Sequence, residues 1–144
     1  MLNQDLIVAK SVEINAKPEE VWEALTDPDI IKEYLYVTET TTDWKPGSKI
    51  RFECEYDGTK YCDKGVVVQN DENKLLSYEY WSGFTGLDDK PENYSLITYT
   101  LAAKGKDKTT LTWTQQGFIS EDARKQSEDG MDAFLQTFKE TVEG

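Results

Sequence analysis

An α+β fold, with a curved antiparallel sheet closed over one long C-terminal helix, is the class this sequence predicts. Two observations carry it. Between Ser120 and Val142, the residues Met131, Leu135, Phe138 and Val142 recur at helical spacing with Phe134 beside them, making one wide apolar stripe. Ahead of that stripe, Ile50 to Gln116 falls largely into short runs that alternate apolar and polar residues, separated by turn residues. Each stripe residue contributes about 1.5–3 kcal/mol on burial, so the helix needs a large apolar partner. The sheet is that partner, and a sheet closed over a helix leaves a space between them.

The first strand is predicted where Leu6, Val8, Val12 and Ile14 alternate with Ile7, Ala9, Ser11 and Glu13, although Lys10 interrupts the apolar face. Ala16-Lys17-Pro18 breaks it. Proline suits the first turn of a helix, Glu19 and Glu20 suit its positive end, and Val21, Trp22 and Leu25 supply a buried side. Asp27-Pro28 repeats the start signal, so a second short helix is expected to run to about Leu35 with Ile30, Ile31 and Tyr34 as its apolar residues. Thr38 to Lys45 is polar apart from Trp44, and Pro46-Gly47 marks a turn. Ile50, Phe52, Cys54 and Tyr56 then alternate with Arg51, Glu53 and Glu55, a strand with one wet face.

A hairpin is expected next, with a three-residue loop at Asp57, Gly58 and Thr59 that sets Cys54 opposite Cys62. Both cysteines are expected to be free thiols and small core residues. Gly65 to Val68, the turn at Asn70 to Asn73, and Leu75 to Trp81 continue the sheet, with Leu76, Tyr78 and Tyr80 on one face. Ser82 to Asn93 is the longest loop candidate. Tyr94 to Ala103 and Thr109 to Gln116 form a closing hairpin whose inward residues are Ile97, Tyr99, Leu101, Leu111 and Trp113. The order is strand, two helices, five strands and a long helix, with six to seven strands expected in all. Residues 1–144 are expected to form a single domain.

Acidic residues outnumber basic ones 28 to 16, a formal net charge of −12. That balance argues against nucleic acid or an anionic membrane as partner, since both reward clustered Lys and Arg. No apolar run reaches the length of a membrane span, and the N-terminus lacks signal-peptide character, so a cytoplasmic location is expected. The chain has no histidine, and two thiols alone make a poor zinc site, so no metal and no cofactor are expected. No nucleophile elbow or phosphate-binding loop is present. Glu53 and Glu55 should face water, the parity of Asp63 is open, and no catalytic residue is assigned.

The run from Ala16 through Trp22 to Pro28 resembles the opening of START-like proteins of the SRPBCC superfamily. More closely, it resembles the family named after the activator of the ninety-kilodalton heat-shock chaperone ATPase. Asp43-Trp44-Lys45-Pro46-Gly47, Tyr61-Cys62-Asp63-Lys64-Gly65 and Pro91-Glu92-Asn93-Tyr94 are further matching pieces. Where that family commonly has Gly-Trp opening the last helix, this chain has Gly130-Met131. The resemblance implies a helix-grip fold around a cavity that superfamily members use for apolar molecules, and it implies a link to the stress response. It also implies a possible protein partner, because chaperone-activating relatives carry a second joined domain. That domain is expected to be absent here, since the chain begins at the first strand.

The expected function is therefore non-enzymatic binding of a small, mostly apolar molecule between sheet and C-terminal helix. Phe52, Cys54, Tyr56, Tyr78, Tyr80, Tyr99, Trp113, Phe134 and Phe138 are the candidate cavity residues. Tyrosines favour a lined over a filled interior, because their hydroxyls need partners that a ligand or water can supply. The loop Ser82 to Asn93, with Gly83 and Gly86, is placed to cover a mouth. Two alternatives are a protein-interaction module acting on a chaperone and a cyclase- or hydrolase-like enzyme using the same cavity.

Overall fold

Seven strands make one antiparallel sheet in a computed structural model that describes residues 2–35, 39–56, 58–82 and 87–144, with the backbone alone at Tyr56 and Tyr61. The strands are β1 (Asn3–Ile14), β2 (Glu39–Thr41), β3 (Lys49–Tyr56), β4 (Thr59–Asp71), β5 (Leu75–Trp81), β6 (Ser95–Ala103) and β7 (Thr109–Phe118). They lie in the order β1-β7-β6-β5-β4-β3-β2. Helices α1 (Pro18–Thr26) and α2 (Pro28–Tyr34) follow β1, and α3 (Glu121–Glu143) follows β7. This is the curved-sheet, helix-grip α+β architecture expected.

The helix starts have the chemistry their sequences announce. Asp27 accepts from the Asp29 backbone N–H at 2.9 Å, and Ser120 accepts from the Ala123 N–H at 3.1 Å, each satisfying a donor that the helix leaves unpaired. Trp44 takes a positive φ of 63°, rare for a bulky residue. Its indole N–H donates to the Thr26 carbonyl at 2.8 Å, so the loop after β2 is tied to the end of α1.

One face of the sheet is the core. Val8, Ile14, Ile50, Phe52, Val67, Leu76, Tyr78, Ile97, Tyr99, Leu101, Leu111 and Trp113 are all buried there. Helix α1 adds Val21, Trp22, Ala24 and Leu25, and α2 adds Ile31 and Tyr34. From α3 come Leu135 and Phe138, the latter fully buried and meeting the Tyr34 ring edge-on at 4.8 Å. Lys10, on the apolar face of β1, reaches Asp132 of α3 at 3.5 Å.

Three expectations are corrected. Thr38 to Lys45 contains a short strand, β2, paired with β3. The β3–β4 hairpin pairs Tyr56 with Thr59, so its loop is two residues rather than three. Cys54 therefore faces Tyr61, and Cys62 faces Glu53. A one-residue change of register moves every side chain to the opposite face, so Cys54 stays in the core while Cys62 turns outward and is only half-buried. Gly130 lies inside α3, within the helical stretch expected from Ser120 to Val142. Along β4, Asp63, Gly65 and Val67 face inward and Val66 and Val68 outward by strand alternation, so Val68 is exposed, and a bulge follows between Val67 and Gln69.

Candidate functional site

The middle of α3 is less closely packed on the core than the turn that follows it. Leu135 and Phe138, near the helix C-terminus, are buried, whereas Met131 and Phe134 are only half-buried. Between Met131 and Phe134 of α3 and the sheet lies a cavity of about 340 Å³. Its floor is the buried set Phe52, Tyr78, Ile97, Tyr99 and Trp113, with Cys54 beside them. Its rim is the half-buried set Leu35, Tyr80, Gln115, Met131 and Phe134. The rings form a continuous tilted array, with centroids of Phe52 and Tyr78 6.0 Å apart, Phe52 and Tyr80 5.9 Å, and Tyr78 and Tyr99 6.4 Å.

One charged group belongs to this wall. Asp63 is directly opposite Phe52 in the β3–β4 ladder, and at 6% exposure it is buried on the inner face. One carboxylate oxygen accepts from the Tyr80 hydroxyl and the other from the Ser82 hydroxyl at 2.8 Å. Burial holds the Tyr80 phenol well above its ordinary pKa, with the neighbouring Asp63 charge adding to the effect. Burial likewise pushes the Cys54 thiol up, again with Asp63 contributing. Tyr99, pushed by burial up to about 12, and Tyr78, held well above the usual range, stay neutral phenols on the floor. Among the described lining residues the Gln115 amide is a further polar group; it donates to the Ser95 hydroxyl at 3.2 Å and accepts from Ser127 of α3 at 3.3 Å. A second hollow of about 370 Å³ shares Tyr80 and Gln115 with the first.

Of the residues singled out from the sequence, Phe52, Cys54, Tyr78, Tyr80, Tyr99, Trp113 and Phe134 come together around the cavity. Phe138 does not line it; its ring is packed in the core against Tyr34. The side chain of Tyr56 lies outside the described residues, as do Gly83 and Gly86 of the loop expected to cover the mouth. The sequence leaves the parity of Asp63 open and does not single out Gln115. Gln115 shares the inward parity of Trp113, and the Asp57-Gly58 pair, a strong signal for a two-residue hairpin loop, would have turned Asp63 inward. Among the described residues, no cluster of three or more His, Cys, Asp or Glu side chains is placed to hold a metal ion, and no helix is long and apolar enough to cross a membrane.

The element order, two short helices after the first strand and a long final helix over the sheet have a counterpart among known families. The model described as Activator of Hsp90 ATPase homolog 1-like protein matches residues 15–143. The chain belongs to that family. As a member of the Activator of Hsp90 ATPase homolog 1-like family, it is similar to a Cytophaga hutchinsonii protein of known solution structure, at 40% identity and a TM-score of 0.84, over 98% of this chain and 96% of that one. The Aha1 dimer from Colwellia psychrerythraea shares the fold at 20% identity and a TM-score of 0.75, over 95% of this chain and 96% of that one. A Mesorhizobium loti protein does so at 24% identity and 0.74, over 94% and 96%. No curated protein sequence matches the chain.

Proposed function

We propose that this member of the family binds a small, mostly apolar molecule in the cavity between the sheet and the middle of α3. The observation that carries the proposal is the cavity itself, with its aromatic floor and its few placed polar groups. Its volume of about 340 Å³ falls at the lower end of the range for small-molecule sites. A packed interior would have left no such space, because cores fill to near-crystalline density. The experiment is native mass spectrometry of freshly purified protein, followed by thermal-shift screening against fatty acids, sterols and aromatic polyketides. A ligand at a hundred times its dissociation constant stabilises the fold by roughly 2.7 kcal/mol, a measurable rise in Tm. No co-purified mass and no shift across the set would overturn the proposal.

Action on a chaperone is the second function we propose to test, favoured by the family match over residues 15–143 and by the net charge of −12. Such a surface speeds encounter with a basic patch on a partner. Measuring chaperone ATPase turnover with and without the protein decides it: stimulation supports this second function, and an unchanged rate removes it.

A further inference from the structure

The charge of the cavity wall narrows the ligand class. Every described lining residue other than Asp63 is uncharged, so a guest meets one carboxylate and no Lys or Arg. The Asp63 carboxylate sits at a corner between two rings, since Phe52 is its cross-strand neighbour and Tyr80 its hydrogen-bond donor. A carboxylate framed by aromatic faces is what a desolvated ammonium group requires: the carboxylate supplies countercharge and the rings supply their negative faces. The same wall penalises an anion, because two like charges confined in a low-dielectric space raise each other's cost. Neighbouring groups cannot offset that penalty, as Cys54, Tyr78, Tyr80 and Tyr99 are all held in their neutral forms.

Resting on the ligand-binding function proposed above, we infer that the cavity selects small organic cations, amines with an aromatic or aliphatic ring body, with Asp63 as the countercharge. The ring body lies on the floor made by Tyr78, Tyr99 and Trp113, and the ammonium group points to the Asp63 corner. The volume limits the body to about one or two fused rings. The acidic surface of the whole protein adds long-range attraction for cations but cannot by itself orient one.

Three compounds with one ring system and three charges test this: tryptamine, tryptophol and indole-3-acetate, titrated calorimetrically into the intact protein at moderate salt. Tryptamine should bind at least about tenfold more tightly than tryptophol, with indole-3-acetate weakest. Asp63→Asn should bring tryptamine and tryptophol within about threefold of each other, read as the ratio of the two affinities on that same variant. Glu55→Gln, on the exposed outer face of β3, should leave the preference intact. Equal or tighter binding of the alcohol or the acid to the unaltered protein overturns the inference, and needs no variant to fold. So does a preference that survives Asp63→Asn, which would assign it to general surface charge. If none of the three binds while a neutral compound of the broader screen does, the cation inference fails and ligand binding stands. If nothing binds, both fall.

Discussion

The same chemical change, glycine to alanine, should act with opposite signs at two positions of this chain. Gly65 lies in the middle of the sheet, opposite Ile50 on β3 and Tyr80 on β5. A Cβ built there stands 2.6 Å from the Glu79 carbonyl oxygen and 3.4 Å from the Ile50 Cδ1. The first of these is backbone on the neighbouring strand, so no rotamer change relieves it, and β5 must shift. Overpacking of this kind costs about 1–3 kcal/mol. A shift of β5 would also displace Tyr80, and with it the hydroxyl on Asp63. Gly130, by contrast, sits inside α3 with nothing within 4 Å of a built Cβ. Alanine there removes backbone freedom from the unfolded chain and should stabilise by roughly 0.5–1 kcal/mol. Urea unfolding of the two variants beside the parent, with equal m-values, reads both effects as shifts in midpoint. Two shifts of the same sign, or a Gly65→Ala cost below about 0.5 kcal/mol, would refute the close-packing argument.

Three further outcomes are expected. Leu135→Ala should cost about 2–5 kcal/mol in the same urea assay, because the side chain is buried in the core; a loss under half that range would take α3 out of the core. Both cysteines should count as free thiols on alkylation, with Cys62 labelled in the folded protein and Cys54 only after unfolding; labelling that requires a reductant, or equal native rates, contradicts the hairpin register. Stability should fall in alkali: Tyr99 is raised to about 12 and Tyr34 and Tyr78 well above the ordinary 10, so the unfolded chain loses phenolic protons first. Their contribution is whole below about pH 10 and drains away as pH rises through the folded values, and an unchanged urea midpoint between about pH 9 and pH 11 would contradict it.

Much of this fold is legible because local and global signals agree. The stripe Met131, Leu135, Phe138 predicts α3 and its buried side, and the proline pairs at Lys17-Pro18 and Asp27-Pro28 place both short helices. Alternation in Ile50, Phe52 and Cys54, and in Ile97, Tyr99 and Leu101, assigns the inner face of β3 and β6. Legibility ends where a single residue of loop length decides parity. Asp63 is polar, so no hydrophobic pattern votes for its direction, and only the two-residue loop at Asp57-Gly58 sends it inward. Phe138 and Phe134 have equal hydrophobic credentials and both meet the Tyr34 ring edge-on, at 4.8 and 6.0 Å, yet only Phe138 is fully buried, a long-range outcome that spacing along one helix does not contain.

The far end of α3 is clamped to the exit of β1: the Lys139 ammonium donates to the Glu13 carbonyl at 2.7 Å, and the Glu143 carboxylate accepts from the Asn15 N–H at 2.8 Å. Beta1 itself pairs only with β7 in the sheet order. During synthesis, then, the first strand waits for nearly everything downstream of it, and the inner face of the nascent sheet stays uncovered until residues 121–143 have left the ribosome. Closure of such distant partners is entropically slow, and an apolar face open for that interval invites association with other chains. The abundance of acidic side chains then acquires a role on the way to the native state, keeping unfinished copies of the chain apart by mutual repulsion.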